Sequence, residues 1–172
     1  MMLKSGLTVV IAALLFATSA QASGYDPARL RADGEVYVVA LHDAYAAAAA
    51  RAERQGERAV ATYFRERVAE VESGGELFPM HPSAYPCADT AQSNALMKAY
   101  DETFALTTSE AADVEPLRVA NVQVAYEEWL VAMNANSRDE GAEGFADTFE
   151  LRLDELTDPG PMSALMPAGR RV

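Results

Sequence analysis

The sequence has one cysteine, Cys87, and two histidines among its 172 residues. A single cysteine excludes an intrachain disulfide, so a hydrophobic core has to stabilise the fold. In an oxidising compartment a lone thiol is buried, capped or paired with another chain. Burial suits it best because free cysteine behaves as a small hydrophobic residue. A Cys87-linked dimer stays open as an alternative.

Basic residues are also scarce, with 14 Lys and Arg against 26 Asp and Glu and a net charge of −12. This charge argues against nucleic acid as a partner, because phosphates attract lysine and arginine. It argues equally against docking on anionic lipid. A basic protein would be attracted, although solubility alone explains an acidic surface.

Recognised catalytic patterns are missing. The sequence has no Ser–His–Asp order, phosphate-binding loop, zinc signature or haem-attachment motif. His42 has no identified nucleophile or substrate proton nearby, so a partly exposed helical histidine explains it better than a general base. We therefore expect no enzymatic activity and no cofactor.

Long apolar runs are confined to the N terminus. Lys4 precedes the apolar run Leu7–Phe16, and Ala20-Gln21-Ala22 matches an A-x-A cleavage box. The run is shorter than the roughly 20 residues that span a bilayer. We expect residues 1–22 to be a signal peptide cleaved after Ala22, which would export a soluble mature chain without a membrane span to the periplasm.

Helical periodicity dominates the rest of the chain, and no set of strands alternates at period two. The sequence predicts an all-α antiparallel bundle of four to five helices in residues 23–158, with a proline-rich loop and a disordered tail over 159–172. Length alone does not decide whether the first two helices form one kinked rod or an antiparallel pair. The predicted helices are Glu35–Gln55, Glu57–Glu72, Ala91–Leu106, Glu115–Ala135 and Phe145–Leu156.

The helix over Glu115–Ala135 is expected to be the centre of the fold. Pro116 suits its first turn, where a missing N–H costs nothing. Apolar residues recur at steps of three and four and predict one buried stripe: Val119, Val122, Tyr126, Trp129 and Met133. Polar residues are expected to flank this stripe: Arg118, Asn121, Gln123, Glu127 and Glu128.

Trp129 and Tyr126 could line a ligand groove, but aromatic residues on an apolar stripe usually belong to the core. Two pairs of adjacent carboxylates, Glu127-Glu128 and Asp154-Glu155, point about 100° apart on a helix and do not form acid–base pairs by themselves. We expect both pairs to lie on solvated faces.

Two segments contain candidate metal ligands. Met80, His81 and Cys87 lie in the proline-rich segment Glu76–Asp89, beside Tyr85. Thioether, imidazole and thiolate suit a soft metal such as copper(I). Their spacing matches no known signature, and a loop packed over the end of the bundle explains the same residues.

The second candidate is a twelve-residue calcium loop over 139–150. Asp139, Glu143, Asp147 and Glu150 would supply ligands at its first, fifth, ninth and last positions, with Gly144 at the turn. Gly141 offers no side-chain ligand at the third position. An acidic turn followed by a helix explains the same residues.

A partial resemblance covers 94–130. Ala95-Leu96-Met97-Lys98-Ala99-Tyr100, Glu110-Ala111-Ala112 and the run from Ala120 to Leu130 resemble the helical N-terminal region of some proteobacterial OmpA-like envelope proteins. That resemblance implies a helical module of the cell envelope. Glu128 stands where those proteins often have a cysteine, so a cysteine pair, lipid anchoring and wall binding are not implied.

Leu117-Arg118-Val119-Ala120, which begins the tryptophan-bearing helix, is similar to periplasmic helical proteins of the lysozyme-inhibitor type. Those proteins normally have several cysteines, whereas this chain has one. Three functions follow as hypotheses. The first is a non-enzymatic periplasmic protein that acts through protein–protein contacts in the cell envelope. The alternatives are a binder or inhibitor of a basic secreted enzyme such as lysozyme, and a protein that binds a metal or another ligand.

Overall fold

The computed structural model describes residues 36–75, 77–85, 90–135 and 142–157. This part of the chain is all-α, without a strand, as the sequence predicted. None of its helices is long and apolar enough to cross a membrane. The predicted signal peptide, the tail after residue 158 and Cys87 lie outside the described residues. The helices are α1 (Val36–Gln55), α2 (Arg58–Glu72), α3 (Thr90–Thr107), α4 (Ala111–Val114), α5 (Pro116–Ala135) and α6 (Ala142–Thr157).

A tight turn at Gly56 separates α1 from α2, and its φ of 78° lies in the left-handed region that glycine tolerates. Two side-chain contacts then give the direction of the helices. Glu53 pairs with Arg65 at 2.7 Å, and His42 contacts Glu72 at 3.3 Å. The later of these α1 residues contacts the earlier α2 residue, so the two helices form an antiparallel pair and not one kinked rod.

Glycine also ends α2 just after Glu72, the last residue that the sequence predicted for this helix. Gly74 has a φ of 75°, and its N–H donates to the oxygen of Val71 at 3.1 Å. The N–H of Gly75 donates to the oxygen of Glu70 at 2.9 Å. These two bonds satisfy carbonyl groups that the helix end would otherwise leave without a donor.

The central position of α5 is confirmed: it packs against α1, α2, α3, α4 and α6. Pro116 is its first residue, and every residue from Val122 to Leu130 is buried. The helix runs parallel to α1, because Tyr37 bonds Gln123 and Tyr45 bonds Glu127 further along both helices. This parallel pairing was not predicted.

Two hydrophobic cores meet at α5. The α1–α2–α5 core contains Leu41, Tyr45, Tyr63, Phe64, Val71 and Val131, with five buried alanines. The α3–α5–α6 core contains Leu96, Ala99, Val122, Tyr126, Trp129, Leu130 and Phe149. The segment 77–85 contacts both cores, because Met80 and Tyr85 pack against each of them.

Candidate functional site

A buried carboxylate, that of Glu127, lies at the centre of the α1–α2–α5 core with none of its surface exposed. Its Oε1 accepts hydrogen bonds from the Tyr45 hydroxyl at 3.0 Å, the Gln123 amide at 3.2 Å and the Arg67 guanidinium at 3.3 Å. Its Oε2 accepts from the Tyr63 hydroxyl at 3.0 Å. We call these five residues the Glu127 network.

Burial raises the pKa of the Glu127 carboxyl above its ordinary value, while the charge of Arg67 and the three neutral donors act in the opposite direction. Burial also raises the pKa of the hydroxyls of Tyr45 and Tyr63. Burial is the largest single influence on the pKa of the Arg67 guanidinium and lowers it, but Glu127, Tyr45 and Tyr63 together outweigh burial and raise that pKa. Both tyrosines therefore stay protonated donors and Arg67 stays charged.

Helical spacing explains how three elements supply this network. Gln123 and Glu127 are four residues apart on α5, and Tyr63 and Arg67 are four residues apart on α2, so each pair shares one helix face. The Tyr37 hydroxyl of α1 donates to Gln123 Oε1 at 2.6 Å. This bond fixes the orientation in which the Gln123 amide nitrogen faces Glu127.

The network also holds the backbone of residues 77–80, which has no helix of its own. An extended segment has backbone donors and acceptors that need partners once they are buried. Side chains of α2 and α5 provide them. Gln123 donates to the oxygen of Leu77 (3.1 Å), Arg67 to the oxygen of Phe78 (2.8 Å) and Tyr126 to the oxygen of Met80 (2.7 Å), and the N–H of Met80 donates to Glu127 (3.3 Å).

This anchoring places the ring of Phe78 at the surface, where 47% of the residue is exposed. The ring lies 5.4 Å from that of Phe104 on α3, which is itself 38% exposed. Tyr100 lies 5.9 Å from Phe104, and the His81 ring lies 4.8 Å from Tyr100. We call these four residues the aromatic surface.

Glu127 and Glu128 were expected on a solvated face of the central helix, and this prediction was wrong; Gln123, expected on a polar flank of the stripe, is buried as well. Glu128 is buried and pairs with Arg51 of α1. Burial raises the pKa of the Glu128 carboxyl, against the effect of Arg51. Because other helices surround the middle of α5, the polar residues there are buried too and find their partners on α1 and α2.

The copper hypothesis rested on Met80, His81 and Cys87. Met80 is half-buried and uses its backbone N–H and oxygen in the bonds to Glu127 and Tyr126. His81 Nδ1 accepts from the N–H of Ser83 at 3.1 Å and begins the 3-10 turn Pro82–Ala84. Within the described ranges no group of three or more His, Cys, Asp or Glu lies close enough to hold a metal ion.

The predicted calcium loop overlaps α6, and the helix replaces it from Ala142 onward. Glu143, Asp147 and Glu150 therefore lie on a regular helix, which does not wrap around an ion as a calcium loop does. Asp147 and Glu150 are exposed. Asp139 lies outside the described residues.

Other sequence candidates lie where they were expected. Tyr126 is fully buried and Trp129 is 9% exposed, and both rings pack against Phe149, so they belong to the core. His42 is a half-buried helical residue whose ring nitrogens contact Asp43 at 3.1 Å and Glu72 at 3.3 Å.

The residues missed by sequence reasoning are Tyr45, Tyr63, Arg67 and Gln123. For the pairs Tyr63–Arg67 and Gln123–Glu127 the signal was an aromatic residue or amide four residues before a charged residue, whereas Tyr45 precedes Ala49 and gave no such signal. That pattern is common on solvated helices as well. Only the packing of α1 and α2 around α5 distinguishes the two cases.

No protein-family model matches the sequence, and the searches of curated proteins and of solved structures gave no significant match.

Proposed function

We propose that this chain is a non-enzymatic periplasmic protein that acts through protein–protein contacts in the cell envelope, with the aromatic surface as its contact. The observation that carries the proposal is the exposure of Phe78 and Phe104 at 47% and 38%. Covering these two exposed rings would be favourable, because burying apolar surface contributes about 25 cal/mol per Å².

Composition and rigidity support this role. Aromatic residues are enriched at the centres of protein interfaces, where they provide most of the binding energy. The Arg67 guanidinium fixes the backbone oxygen of Phe78, and Phe78 packs against Phe104. A surface held in place before binding loses less conformational entropy when a partner docks.

The Glu127 network supports a structural role over catalysis. Glu127 has no exposed surface, so a substrate cannot reach its oxygens. Five donors already bond those oxygens, and a general base needs a free position facing the proton that it accepts. The network is best explained as the support of the aromatic surface.

Site-specific photo-crosslinking tests this proposal in the organism that makes the protein. A photoreactive phenylalanine analogue at position 104 should give one discrete adduct with an envelope protein. The matched control is the same analogue at Leu151 of α6, which is 56% exposed and lies outside the aromatic surface. Equal adducts at both positions, or none at 104, contradict the proposal.

Export is a separate part of the proposal, supported by the N-terminal sequence alone. Cell fractionation of the full chain should recover a product in the periplasm that begins at Ser23. Leu14→Arg with Leu15→Arg interrupts the apolar run and should retain the uncleaved chain in the cytoplasm. An unprocessed wild-type chain in the cytoplasm would contradict the periplasmic assignment.

A binder of a basic secreted enzyme such as lysozyme is the second candidate, and the net charge of −12 favours it. Opposite charge steers association and is screened by salt. Lysozyme itself is the direct probe, with binding measured at low and at high ionic strength. We expect binding at low salt that weakens as salt is added, whereas no binding or a salt-independent affinity contradicts this candidate.

A further inference from the structure

The exposed apolar area extends along α3 beyond the four residues of the aromatic surface. Met97 is 38% exposed, as is Phe104. Met97, Tyr100 and Phe104 follow each other at steps of three and four, so they lie on one face of the helix. A different face of α3, with Leu96 and Ala99, is buried in the α3–α5–α6 core. The helix therefore has a second apolar face, which is exposed.

Carboxylates lie next to the aromatic surface on both α2 and α3. Asp101 is exposed and lies three residues before Phe104, so the two side chains are neighbours on α3. On α2, Glu70 pairs with Arg67, whose guanidinium also donates to the backbone oxygen of Phe78. Each of the two exposed phenylalanines therefore has a carboxylate nearby.

The cations in this region already have partners. Arg67 is 5% exposed and faces Glu127 as well as Glu70, so one guanidinium faces two carboxylates. Lys98 is the only basic residue of α3, and it pairs with Glu102 at 3.5 Å. Within the described residues, Asp101 has no ion-pair partner. The aromatic surface is therefore bordered by negative charge, which attracts a cation and repels an anion.

Arginine is the side chain that fits both the rings and the carboxylates. Its planar guanidinium stacks on aromatic faces, and its fork of N–H donors matches the geometry of a carboxylate. The lysine ammonium is a compact and strongly hydrated point charge, which stacks less well. A purely apolar partner would remove water from Asp101 without replacing its hydrogen bonds, which is costly.

We propose that the partner docks on the aromatic surface through an arginine. Its guanidinium stacks on the exposed ring of Phe104 and pairs with the carboxylate of Asp101, while apolar groups of the same segment cover Phe78 and Met97. This inference rests on the function proposed above and gives the chemistry of the partner at that surface.

Short peptides test this contact without the partner itself. The isotope-labelled full chain is titrated with glycine pentapeptides that have arginine, lysine or citrulline at their second and fourth positions. Citrulline has the shape of arginine without its charge. We expect the arginine peptide to shift the NMR signals of Phe78, Asp101 and Phe104 saturably at millimolar concentrations. Its affinity should be about threefold higher than that of the lysine peptide and about tenfold higher than that of the citrulline peptide.

Three results overturn the proposal: no saturable response to the arginine peptide, equal affinities for arginine and lysine, or shifts spread over other acidic parts of the surface.

Matched variants locate the binding. Phe104→Leu keeps an apolar side chain but removes the ring, so the arginine and lysine peptides should then bind equally. Asp101→Asn should weaken both peptides about twofold. Asp113→Asn removes an exposed carboxylate of α4 outside the aromatic surface and should change nothing. The proposal is refuted if Asp113→Asn weakens binding as much as Asp101→Asn, or if Phe104→Leu keeps the preference for arginine. Circular dichroism of each variant checks that the helices are intact.

Photo-crosslinking at position 104 separates this inference from the proposed function. Asp101→Asn in the same strain should lower the yield of the adduct about twofold, because the arginine loses its carboxylate. An adduct whose yield is unchanged by Asp101→Asn refutes the arginine and leaves the protein contact standing. The absence of any adduct in the wild type refutes the contact itself.

Discussion

The α1–α2–α5 core buries a charged network, whereas the α3–α5–α6 core buries rings and aliphatic side chains. In the first, Arg67 is 5% exposed and Glu127 is fully buried beside alanines that leave room for long polar side chains. In the second, the rings of Tyr126, Trp129 and Phe149 fill the interior, and the carboxylates of Glu150 and Asp154 lie outside it. The stability of the first core depends on pairing each buried polar group with a partner. The stability of the second depends on filling its interior with apolar side chains.

The largest difference should follow the loss of Arg67. Arg67→Met leaves the Glu127 carboxylate without its counter-charge and the Phe78 oxygen without its donor. We expect the free energy of unfolding at pH 7 to fall by about 3–5 kcal/mol, measured by urea denaturation.

Arg65→Met is the matched control, because Arg65 pairs with Glu53 on the same helix pair at an exposed position. Its loss should stay below about 1 kcal/mol. Similar losses for the two variants would show that the buried network contributes no more than a surface pair.

Leu96→Ala tests the other core. Leu96 is 1% exposed, and its truncation should lower the free energy of unfolding by about 2–5 kcal/mol by leaving a cavity. This loss should be the same at pH 5 and pH 8, since no charge is involved. The loss from Arg67→Met should shrink as pH falls through the folded pKa of Glu127, which burial raises above its ordinary value, because a neutral Glu127 needs no counter-charge. If the losses in the free energy of unfolding changed equally with pH for both variants, the two cores would not differ in this way.

A single hydrogen bond of the network can be removed without changing charge. Tyr63→Phe deletes the only donor to Glu127 Oε2 among the described residues, which should cost about 1–3 kcal/mol by chemical denaturation. Tyr85→Phe is the control, because the half-buried Tyr85 hydroxyl makes no hydrogen bond to the described residues. It should change stability by less than about 0.5 kcal/mol. Indistinguishable losses would mean that Oε2 needs no donor.

The pH dependence of Glu127→Gln sharpens the same contrast. The folded pKa of Glu127 is raised above the ordinary 4.5, so the folded state binds this proton more tightly than the unfolded state does. The stability of the wild type relative to Glu127→Gln should therefore be greatest below pH 4.5 and decline as pH rises through the folded pKa. Urea denaturation of both proteins at a series of pH values measures this difference in stability. A relative stability that rises with pH would show that Arg67 and the hydroxyl donors outweigh burial.

The smallest effects concern two exposed glycines with open space around them. Gly56 in the α1–α2 turn has a φ of 78°, so Gly56→Ala should cost about 1–2 kcal/mol through backbone strain alone. Gly144 lies in α6, and Gly144→Ala should stabilise the chain by about 0.5–1 kcal/mol. Thermal denaturation should show shifts of opposite sign, and shifts of the same sign would contradict this assignment of the two backbones.

The helices were largely predictable because their ends are marked locally. Pro116 begins α5, Gly74 ends α2, and Gly56 separates α1 from α2. The predicted start of the last helix was late, at Phe145 and not Ala142. The acidic segment before Phe145 resembled a calcium loop, so the predicted helix began three residues after the observed one.

The candidate site was far less predictable. The apolar stripe of α5 correctly marked Val122, Tyr126 and Trp129 as core, but Glu127 and Glu128 were assigned to solvent and are buried. Periodicity reports which face is most apolar, and it cannot report that a helix is enclosed on every side. The partners of Glu127 come from positions 45, 63 and 67, and no pattern along one helix relates them.

The sequence by itself determined that the described part of the chain is all-α, because helical periodicity and the preferences of glycine and proline at single positions act locally. It also determined that Tyr126 and Trp129 are core. Only the tertiary structure decided that Glu127 is buried, that Arg67 faces it and that Phe78 is held at the surface. These outcomes depend on long-range contacts between helices, where a buried charge is tolerated only if groups distant in sequence meet it.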